Sequence, residues 1–376
     1  MVSENVNIAM FGHKRIPSRE GGVEIVVEEL SKRMASLGHT VTCYNRSGHH
    51  ISGAQYDRCV AACPDGVILK SVWTLDKKGL AAVSSSFFAA LMASFSKAKV
   101  VHIHAEGPAF MCWLPKLFGK RVIVTVHGLD WQREKWGHGF ASKFIRAGEK
   151  MAVRFADEII VLSRNVQDYF RTAYQRETVW IPNGVSMPDH TNASLINKDH
   201  GLCGDDYILF LGRLVPEKGI HYLIDAFRTV RTKKKLVIAG CASDTDEYVK
   251  RLQASAGEDD RIIFTGFVQG QLLEELYSNA YAYVLPSDVE GMPLSLLEAM
   301  SYGNCCLVSD IAECMEVVGT HALCFAKGNV DDLRERLQML CDDPNLVQRF
   351  RGSAQSYICE RFNWDDVTKQ TLELYQ

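Results

Sequence analysis

The chain has 376 residues, of which 42 are Lys or Arg, 45 are Asp or Glu and 47% are hydrophobic. This apolar content supplies a sizeable core and excludes a disordered chain, and the length predicts two domains or three. The formal net charge of −3 excludes a uniformly basic nucleic-acid-binding protein, so we expect no nucleic acid partner.

The charge is divided unevenly along the chain. Residues 1–184 carry a net charge of +8, and the remainder carries −11. A basic first part suits phosphates or an anionic membrane surface. Uneven surface charge without a function is an equally good interpretation.

The twelve cysteines are scattered, and no paired CxxC motif suggests a zinc site. The segment Met1–Asn5 lacks the basic and apolar stretches of a signal peptide. Both features favour a reducing cytoplasm with free, mostly buried thiols. The uncharged stretch Gly79–Ser96 approaches the length of a membrane span, but its serines and flanking lysines favour a buried helix.

The first predicted strand, Val6–Phe11, leads through a glycine-containing loop into an amphipathic helix over Val23–Leu37. A strand over Thr40–Tyr44 completes a βαβ unit, which predicts a parallel sheet. The same alternation continues to residue 184. Further elements of this part are predicted as strands at Val100–His104, Arg121–Val126, Glu158–Leu162 and Val179–Ile181, and as a helix at Ala141–Phe155.

Residues 185–205 are polar and are predicted to form a linker. A new strand at Tyr207–Leu211 opens a second cycle of strands and helices. Its later strands are predicted at Lys235–Ala239, Arg261–Thr265, Tyr281–Leu285 and Cys305–Ser309. The sequence thus predicts an α/β protein with two doubly wound domains in tandem, over 1–184 and 206–360. Ligands of such sheets bind at the carboxyl ends of strands, so the cleft between the domains is the expected site.

The strongest chemical motif follows the predicted strand Tyr281–Leu285. An acidic residue, Glu290, is followed by Gly291-Met292-Pro293-Leu294 at a predicted helix start, with Glu298 one to two turns into that helix. Proline suits the first turn of a helix, and the exposed amides there suit a phosphate. The two carboxylates are acceptors for hydroxyl groups on either side of that phosphate.

A second motif directly follows the strand Tyr207–Leu211. In Gly212-Arg213-Leu214-Val215-Pro216-Glu217-Lys218-Gly219, the guanidinium of Arg213 and the ammonium of Lys218 are suited to neutralise a diphosphate. For this loop alone, solvated surface charge is the competing interpretation.

Together these residues resemble the nucleotide-sugar-dependent, retaining glycosyltransferases of family 4, which have the GT-B fold of two Rossmann-like domains. The resemblance covers nearly the whole chain. It is carried, in chain order, by Gly21 with Gly22, by Thr125-Val126-His127-Gly128, by Arg213 with Lys218, and by the E-x7-E pair Glu290 and Glu298. The loops at 12–24 and 127–133 also resemble the subgroup that includes rhamnosyltransferases of capsule and cell-wall polysaccharide assembly.

The resemblance implies a role for each of these residues. Arg213 and Lys218 would bind the donor diphosphate and stabilise its departure, and Glu298 would accept the ribose hydroxyls. Glu290 would accept hydroxyls of the transferred sugar, near His127. The remaining predicted site residues are Gly21, Gly22, Val268, Gly291, Met292, Pro293 and Leu294 for the donor and Arg19, Glu20, Asp130, Trp131 and Asn183 for the acceptor side. The resemblance also implies that 361–376 forms a helix returning to the first domain.

Structural interpretations compete with several of these assignments. Without the resemblance, a packed strand-end histidine is the better interpretation of His127. A turn role suits Asn183 equally well. His102 and His104 alternate on one strand face, which suits core or cleft lining better than a metal. The basic and aromatic residues between Cys112 and Arg154 suit an anionic bilayer, or an ordinary helix with its aromatic side chains in the core.

The resulting expectation is a retaining, metal-independent hexosyltransferase without a cofactor. It would move a hexose or deoxyhexose from a nucleotide diphosphate sugar to a lipid-linked glycan in bacterial polysaccharide synthesis, bound peripherally at the cytoplasmic face of the membrane. L-rhamnose from dTDP-rhamnose is the first expected donor, and a UDP-hexose the second. The alternatives are a sugar-nucleotide epimerase on the same fold and a non-catalytic sugar-nucleotide-binding protein; retention of Arg213 and Lys218 argues against the latter.

Overall fold

The computed structural model describes residues 5–48, 65–75, 77, 79–129, 131, 140–243 and 245–376, the side chains of 140 and 141 excepted. It divides into two compact units. Unit 1 comprises Met1–Asn183 with Trp364–Gln376, and unit 2 comprises Gly184–Asn363. Each unit is built around its own parallel sheet. The predicted site residue Asp130 lies outside the described residues.

The sheet of unit 1 has seven strands among the described residues, in the order β3-β2-β1-β4-β5-β6-β7. All pairs are parallel, and Ile8 in β1 is the partner of both Val41 in β2 and Val100 in β4. The strands are β1 Asn7–Phe11, β2 Thr40–Arg46, β3 Val67–Val72, β4 Val100–His104, β5 Arg121–Val126, β6 Glu158–Val161 and β7 Val179–Trp180. The central strand β4 is buried throughout, as a parallel strand covered on both faces must be.

The helices of unit 1 cover its sheet. Helix α1 places Val26, Val27, Leu30 and Met34 in the core at helical spacing and ends before Gly38, whose φ of +94° suits glycine. The helices are α1 Gly22–Ser36, α2 Leu80–Ser94, α3 Glu106–Ala109, α4 Trp113–Leu117, α5 Phe140–Phe155, α6 Arg164–Tyr174 and, from the end of the chain, α15 Trp364–Glu373.

The sheet of unit 2 has six parallel strands among the described residues, in the order β10-β9-β8-β11-β12-β13. Its strands are β8 Tyr207–Leu211, β9 Lys235–Ala239, β10 Ile262–Gly266, β11 Ala282–Leu285, β12 Cys306–Ser309 and β13 Leu323–Phe325. Its helices are α7 Leu195–His200, α8 Ile220–Phe227, α9 Asp246–Ala256, α10 Gln271–Ser278, α11 Leu294–Ser301, α12 Ala312–Val318, α13 Val330–Asp342 and α14 Pro344–Arg361, with a 3-10 helix at Pro216–Lys218. The predicted linker segment 185–205 contains α7.

The predicted α/β class with two Rossmann-like domains is confirmed. Strands β3 and β13 were absent from the sequence prediction, and both lie at the edges of their sheets. The edge strand β3 mixes buried and exposed residues irregularly, and β13 has only three residues. Edge strands with one solvated side carry a weak hydrophobic pattern, which is why they escape detection.

Helix α2 corrects the prediction of a buried helix over Gly79–Ser96. It buries Ala89, Ala90 and Ala93 against the core, but Phe87 is exposed on its other side. The low charge of this segment therefore reflects an apolar outer face as well as a buried inner one. Within the described residues, no helix is both long and apolar enough to cross a membrane.

Candidate active site

The candidate site of unit 2 lies where the strand order of its sheet reverses, between β8 and β11. Connections from these two neighbouring strands run to opposite sides of the sheet, so a crevice opens at their carboxyl ends. The loop after β8 carries Arg213 and Lys218, and the loop after β11 carries Glu290. The topology thus brings together two motifs that are 72 residues apart in sequence.

The two loops pack directly against each other at Gly219. This residue has a φ of +65°, and a Cβ atom there would lie 2.0 Å from the carbonyl oxygen of Pro286. Only glycine permits both the backbone conformation and the close approach. A backbone hydrogen bond completes the junction, because the amide of Asp288 donates to the carbonyl of Glu217 over 2.8 Å.

Lys218 and Glu290 form an ion pair across this junction. The Nζ atom of Lys218 lies 2.5 Å from Oε1 of Glu290, and their side chains are only 13% and 8% exposed. The hydroxyl of Ser287 donates to the same carboxylate oxygen over 2.6 Å. The charge of the carboxylate is therefore balanced and its position fixed, while the ammonium group keeps further N–H groups for another acceptor.

Glu298 is positioned by a tyrosine from another helix. It lies in the second turn of α11, and its Oε2 atom accepts a hydrogen bond of 3.2 Å from the hydroxyl of Tyr277 in α10. The ring of Tyr277 is itself stacked on Tyr302, with 5.3 Å between the ring centroids. Neither Tyr277 nor Ser287 was among the predicted site residues. Tyr277 gave no local signal, since it is 21 residues from Glu298.

Helix α11 begins at Leu294, directly after the loop that carries Glu290. Pro293 is its N-cap in an extended conformation, and within the described part of the chain no side chain caps this helix. No side-chain oxygen of a described residue therefore caps the backbone N–H groups of its first turn. Such N–H groups at a helix N-terminus commonly bind anions. The neighbouring predicted donor residues are placed as follows: Arg213 half-buried after β8, Gly291 and Met292 buried before α11, and Val268 buried in the loop after β10.

Unit 1 has an equivalent point of strand-order reversal, between β1 and β4. Gly12, at the end of β1, has a φ of +112°, and a Cβ atom there would lie 2.0 Å from the carbonyl oxygen of His104. The glycine loop after β1 is therefore held against the end of β4. This loop leads into α1, whose N-cap is Gly21 and whose first residue is Gly22.

Three histidines lie together on β4 and directly after β5, namely His102, His104 and His127. His127 is half-buried, and its Nε2 is 3.1 Å from Nδ1 of His104, which is fully buried. His104 stacks on His102, with 4.2 Å between the ring centroids. Burial lowers the pKa of His102 to about 3, and it lowers the pKa of His104 as well. The side chains of His102 and His104 are therefore neutral at physiological pH, and both are fully buried in unit 1.

The predicted acceptor-side residues occupy different environments. Arg19 is exposed, Glu20 donates its amide to the hydroxyl of Ser18, and Asn183 is buried at the end of the first segment of unit 1. Trp131 instead turns toward the core of unit 1. Its Nε1 donates to the buried carboxylate of Glu149 over 3.3 Å.

Helix α5 carries a basic stripe on its exposed side. Lys143, Arg146, Lys150 and Arg154 are all exposed and recur at helical spacing. Arg146 also packs over the ring of Trp131, with its Cζ 4.4 Å from the ring centroid. The basic residues predicted between Cys112 and Arg154 thus face solvent in α5, whereas Trp131 does not.

A polar pocket of about 300 Å³ lies at the opposite edge of the unit 2 sheet, before the strands β8, β11 and β12. Its arginine, Arg351, already contacts Asp205 over 2.5 Å and the carbonyl oxygen of Ala280 over 2.6 Å. None of the predicted site residues that the structure describes lines this pocket, and the guanidinium of Arg351 already binds groups of the protein itself. Among the described residues, no group of three or more His, Cys, Asp or Glu side chains is arranged to hold a metal ion.

Two family descriptions match the chain in tandem. Residues 20–187 match the Glycosyltransferase Family 4 domain, and residues 195–357 match the domain of Glycosyl transferases group 1. The first range contains Gly21, Gly22 and His127, and the second contains Arg213, Lys218 and both glutamates of the E-x7-E pair.

Curated relatives extend this likeness. An uncharacterized glycosyltransferase of Methanocaldococcus jannaschii is 29% identical over 68% of both chains. Alpha-maltose-1-phosphate synthase of Mycolicibacterium smegmatis is 24% identical over 99% of both chains. O-antigen chain mannosyltransferase B of Escherichia coli is 31% identical over 46% of this chain and 47% of its own length. The names of the latter two relatives refer to different sugars.

Solved structures share the fold over the whole chain. Sucrose-phosphate synthase from Thermosynechococcus elongatus has a TM-score of 0.84 at 20% identity, covering 99% of this chain and 98% of its own. Anabaena HepE in complex with UDP-glucose has a TM-score of 0.80 at 18% identity, covering 98% of this chain and 99% of its own. At this identity the likeness establishes the GT-B fold alone.

Proposed function

Since this chain combines a family 4 and a group 1 glycosyltransferase domain on the GT-B fold, we propose that it is a retaining hexosyltransferase. It uses a nucleotide diphosphate sugar and acts in polysaccharide synthesis. The observation that carries the proposal is the junction of Lys218 and Glu290 at the strand-order reversal of unit 2. A cation that can bind a phosphate lies there beside a carboxylate that can accept a hydrogen bond from a sugar hydroxyl.

The roles follow from the chemistry of each side chain. Lys218 and Arg213 bind the diphosphate and neutralise the charge that develops as it departs. When Lys218 turns to a phosphate oxygen, the carboxylate of Glu290 accepts a hydroxyl of the sugar instead. Glu298, fixed by Tyr277, accepts the ribose hydroxyls. The contact of His127 with the transferred sugar, and those of Gly21 and Gly22 with the donor, stay predictions.

The proposed reaction is attack from the face that the diphosphate leaves. The acceptor oxygen bonds to the anomeric carbon while the bond from that carbon to the diphosphate oxygen breaks. The acceptor proton passes to the departing phosphate oxygen, so no protein base is required. The charge on the diphosphate is met by the two side-chain cations and the amides before α11, and we propose that the reaction needs no metal and no cofactor.

The first proposed donor is dTDP-rhamnose, and a UDP-hexose is the second. The loop at 12–24 supports rhamnose through its resemblance to rhamnosyltransferases of polysaccharide assembly. The UDP-glucose complex of HepE supports the alternative. Small changes in a sugar pocket alter donor choice without altering the fold, so the donor has to be decided by measurement.

The proposed acceptor is a lipid-linked glycan at the cytoplasmic face of the cell membrane, where the protein binds peripherally. The exposed basic stripe of α5 supports this, because lysine and arginine attract diphosphate groups and anionic headgroups. The relative named O-antigen chain mannosyltransferase B supports a polysaccharide product.

The testing experiment is a donor screen by thermal shift and calorimetry with dTDP-rhamnose, UDP-glucose, UDP-galactose, UDP-N-acetylglucosamine and GDP-mannose, with and without a chelator. A ligand that binds the folded protein raises its melting temperature. We expect a shift with one donor that survives the chelator, that is reduced in a Glu298→Ala variant and that is retained in Glu274→Ala, which changes an exposed residue of α10.

Other outcomes of the screen favour other functions. A shift that the chelator abolishes contradicts metal independence. Conversion of the donor to an isomer without an acceptor identifies an epimerase. Binding without any transfer or hydrolysis identifies a non-catalytic sugar-nucleotide-binding protein. If folded protein shows no shift with any donor, the proposed donor class is wrong.

A further inference from the structure

An exposed apolar surface follows α2 and continues at the end of α4. We define this α2–α4 face by Leu80, Phe87, Met92, Phe95, Leu117 and Phe118, all of which are exposed. Leu80, Phe87 and Phe95 recur on one side of the helix, and the half-buried Leu91 lies between the last two. The ring centroids of Phe95 and Phe118 are 4.6 Å apart, which joins the helix to the end of α4.

The concentration of apolar side chains in this face exceeds the usual scatter of surface hydrophobics. Twelve large hydrophobic residues are exposed in the described part of the chain, and seven of them lie between Trp73 and Phe118. All of the exposed aromatic residues in that set are here: Trp73, Phe87, Phe95 and Phe118. Single exposed leucines or methionines need no explanation, but a concentration of exposed aromatic side chains in one segment indicates a binding surface.

The charges around the face are mostly basic. Between residues 77 and 129 the sequence has seven basic residues and a single acidic one, Glu106, which is buried. Lys77 precedes α2, and Lys97 and Lys99 follow Phe95; all three are exposed. Lys120 donates to the carbonyl oxygen of Ser96 over 2.8 Å, which holds the turn after α4 beside the end of α2. Of the other lysines, Lys116 pairs with Asp157.

We propose that the α2–α4 face is the surface through which unit 1 docks onto an anionic lipid bilayer. Its phenylalanine and leucine side chains enter the headgroup boundary, and Lys77, Lys97 and Lys99 contact anionic headgroups. This proposal rests on the proposed function for its lipid-linked acceptor, and it deepens that function by locating the membrane contact on α2 and α4. The basic stripe of α5 adds attraction to anionic headgroups, but none of the exposed large hydrophobic residues in the described part of the chain lies on α5, so we assign insertion to the α2–α4 face.

The charge pattern favours a bilayer over a second copy of the chain. Two α2–α4 faces packed together would bring the exposed lysines of both copies close to each other, with no exposed carboxylate from this segment between them. Like charges in contact oppose such a dimer. An anionic bilayer accommodates the apolar side chains of the face, and its headgroups pair with the exposed lysines.

The test is sedimentation of the full chain with vesicles of phosphatidylcholine, alone or mixed with phosphatidylglycerol. The wild-type protein should bind the mixed vesicles, and added salt should weaken that binding. The Phe95→Ser/Phe118→Ser variant should bind about tenfold more weakly or worse. The matched control is Met315→Ser/Met339→Ser, which removes two exposed hydrophobic residues from unit 2 and should bind like the wild type.

A second variant, Lys97→Glu/Lys99→Glu, should lose the preference for phosphatidylglycerol while folding normally, because both side chains are exposed. Donor binding by calorimetry should be unchanged in every variant. Absence of donor binding by the wild type would be a failure of the proposed function and not of this surface. Three results would overturn the proposal: no vesicle binding by the wild type, equal binding by the Phe95→Ser/Phe118→Ser variant, or a concentration-dependent dimer that this variant abolishes.

Discussion

The hydroxyl of Tyr375, the penultimate residue, lies 2.6 Å from Nδ1 of His102 in the middle of β4. The other ring nitrogen of His102 is 2.7 Å from the hydroxyl of Thr125 in β5. The chain therefore leaves unit 1 at Asn183, builds unit 2, and returns to complete the core of unit 1. The end of the chain is a structural part of the first unit.

Tyr375→Phe should destabilise unit 1, because it leaves a buried nitrogen of His102 without its partner. The expected loss is about 1–3 kcal/mol, or a few degrees in melting temperature. Differential scanning calorimetry measures it. Tyr357→Phe is the matched control, since that hydroxyl pairs with the exposed Arg361 and its loss should change little. Equal stability of the two variants would show that the buried hydrogen bond contributes nothing.

Lys218→Ala should lower kcat by about 10²-fold or more, because it removes a preorganised cation from the departing diphosphate. It also removes the ion pair from the buried Glu290 carboxylate, which keeps the hydrogen bond from the hydroxyl of Ser287. Steady-state kinetics with the donor found by the screen measures the effect. Lys250→Ala removes an exposed lysine of unit 2 and should keep wild-type turnover. A Lys218→Ala enzyme with full turnover would refute the site.

Glu298→Ala should raise the Kd of the nucleotide about tenfold, since it removes a charged acceptor from two ribose hydroxyls. Tyr277→Phe should raise it less, because the carboxylate remains but loses the hydrogen bond that orients it. Calorimetric titration with UDP and with dTDP gives both values. A larger effect of Tyr277→Phe than of Glu298→Ala would mean that Tyr277 supports the fold of α11 rather than the ligand contact.

Acid should destabilise unit 1 between about pH 6.5 and pH 4. Burial lowers the pKa of His13 to about 4, whereas Asn45 and Glu24 oppose this shift and Arg46 adds to it. The unfolded chain binds a proton that the folded chain excludes in this window, so stability falls as the pH falls, by about 1.4 kcal/mol per pH unit for each such histidine.

Urea unfolding between pH 7.5 and pH 5 tests this dependence. His13→Gln keeps a partner for the Asn45 side chain, which lies 2.8 Å from Nε2 of His13, but removes the titrating group. The variant should therefore lose stability less steeply with falling pH. An unchanged slope would mean that His102 and His104 carry the dependence without His13.

The sequence alone determined the class of the fold and the position of its main motifs. Alternation of apolar strands with amphipathic helices is a local property, so the central strands such as β4 and β8 were evident from their composition. Glycine and charged residues directly after a strand indicate a strand-end loop whatever the rest of the chain does. The positions of Arg213, Lys218 and Glu290 after strands, and of Glu298 in the helix that follows, were therefore predicted in advance.

Only the tertiary structure decided which of these residues meet. Lys218 contacts Glu290 because β8 and β11 are neighbours in the sheet. The order of strands in a sheet cannot be predicted from the local periodicity of the sequence. Tyr277 reaches Glu298, and Tyr375 reaches His102, through the path of the chain over long sequence separations. The apolar residues of α2 likewise divide between core and surface according to what packs on the helix, because composition fixes how apolar a segment is but not which side of it is covered.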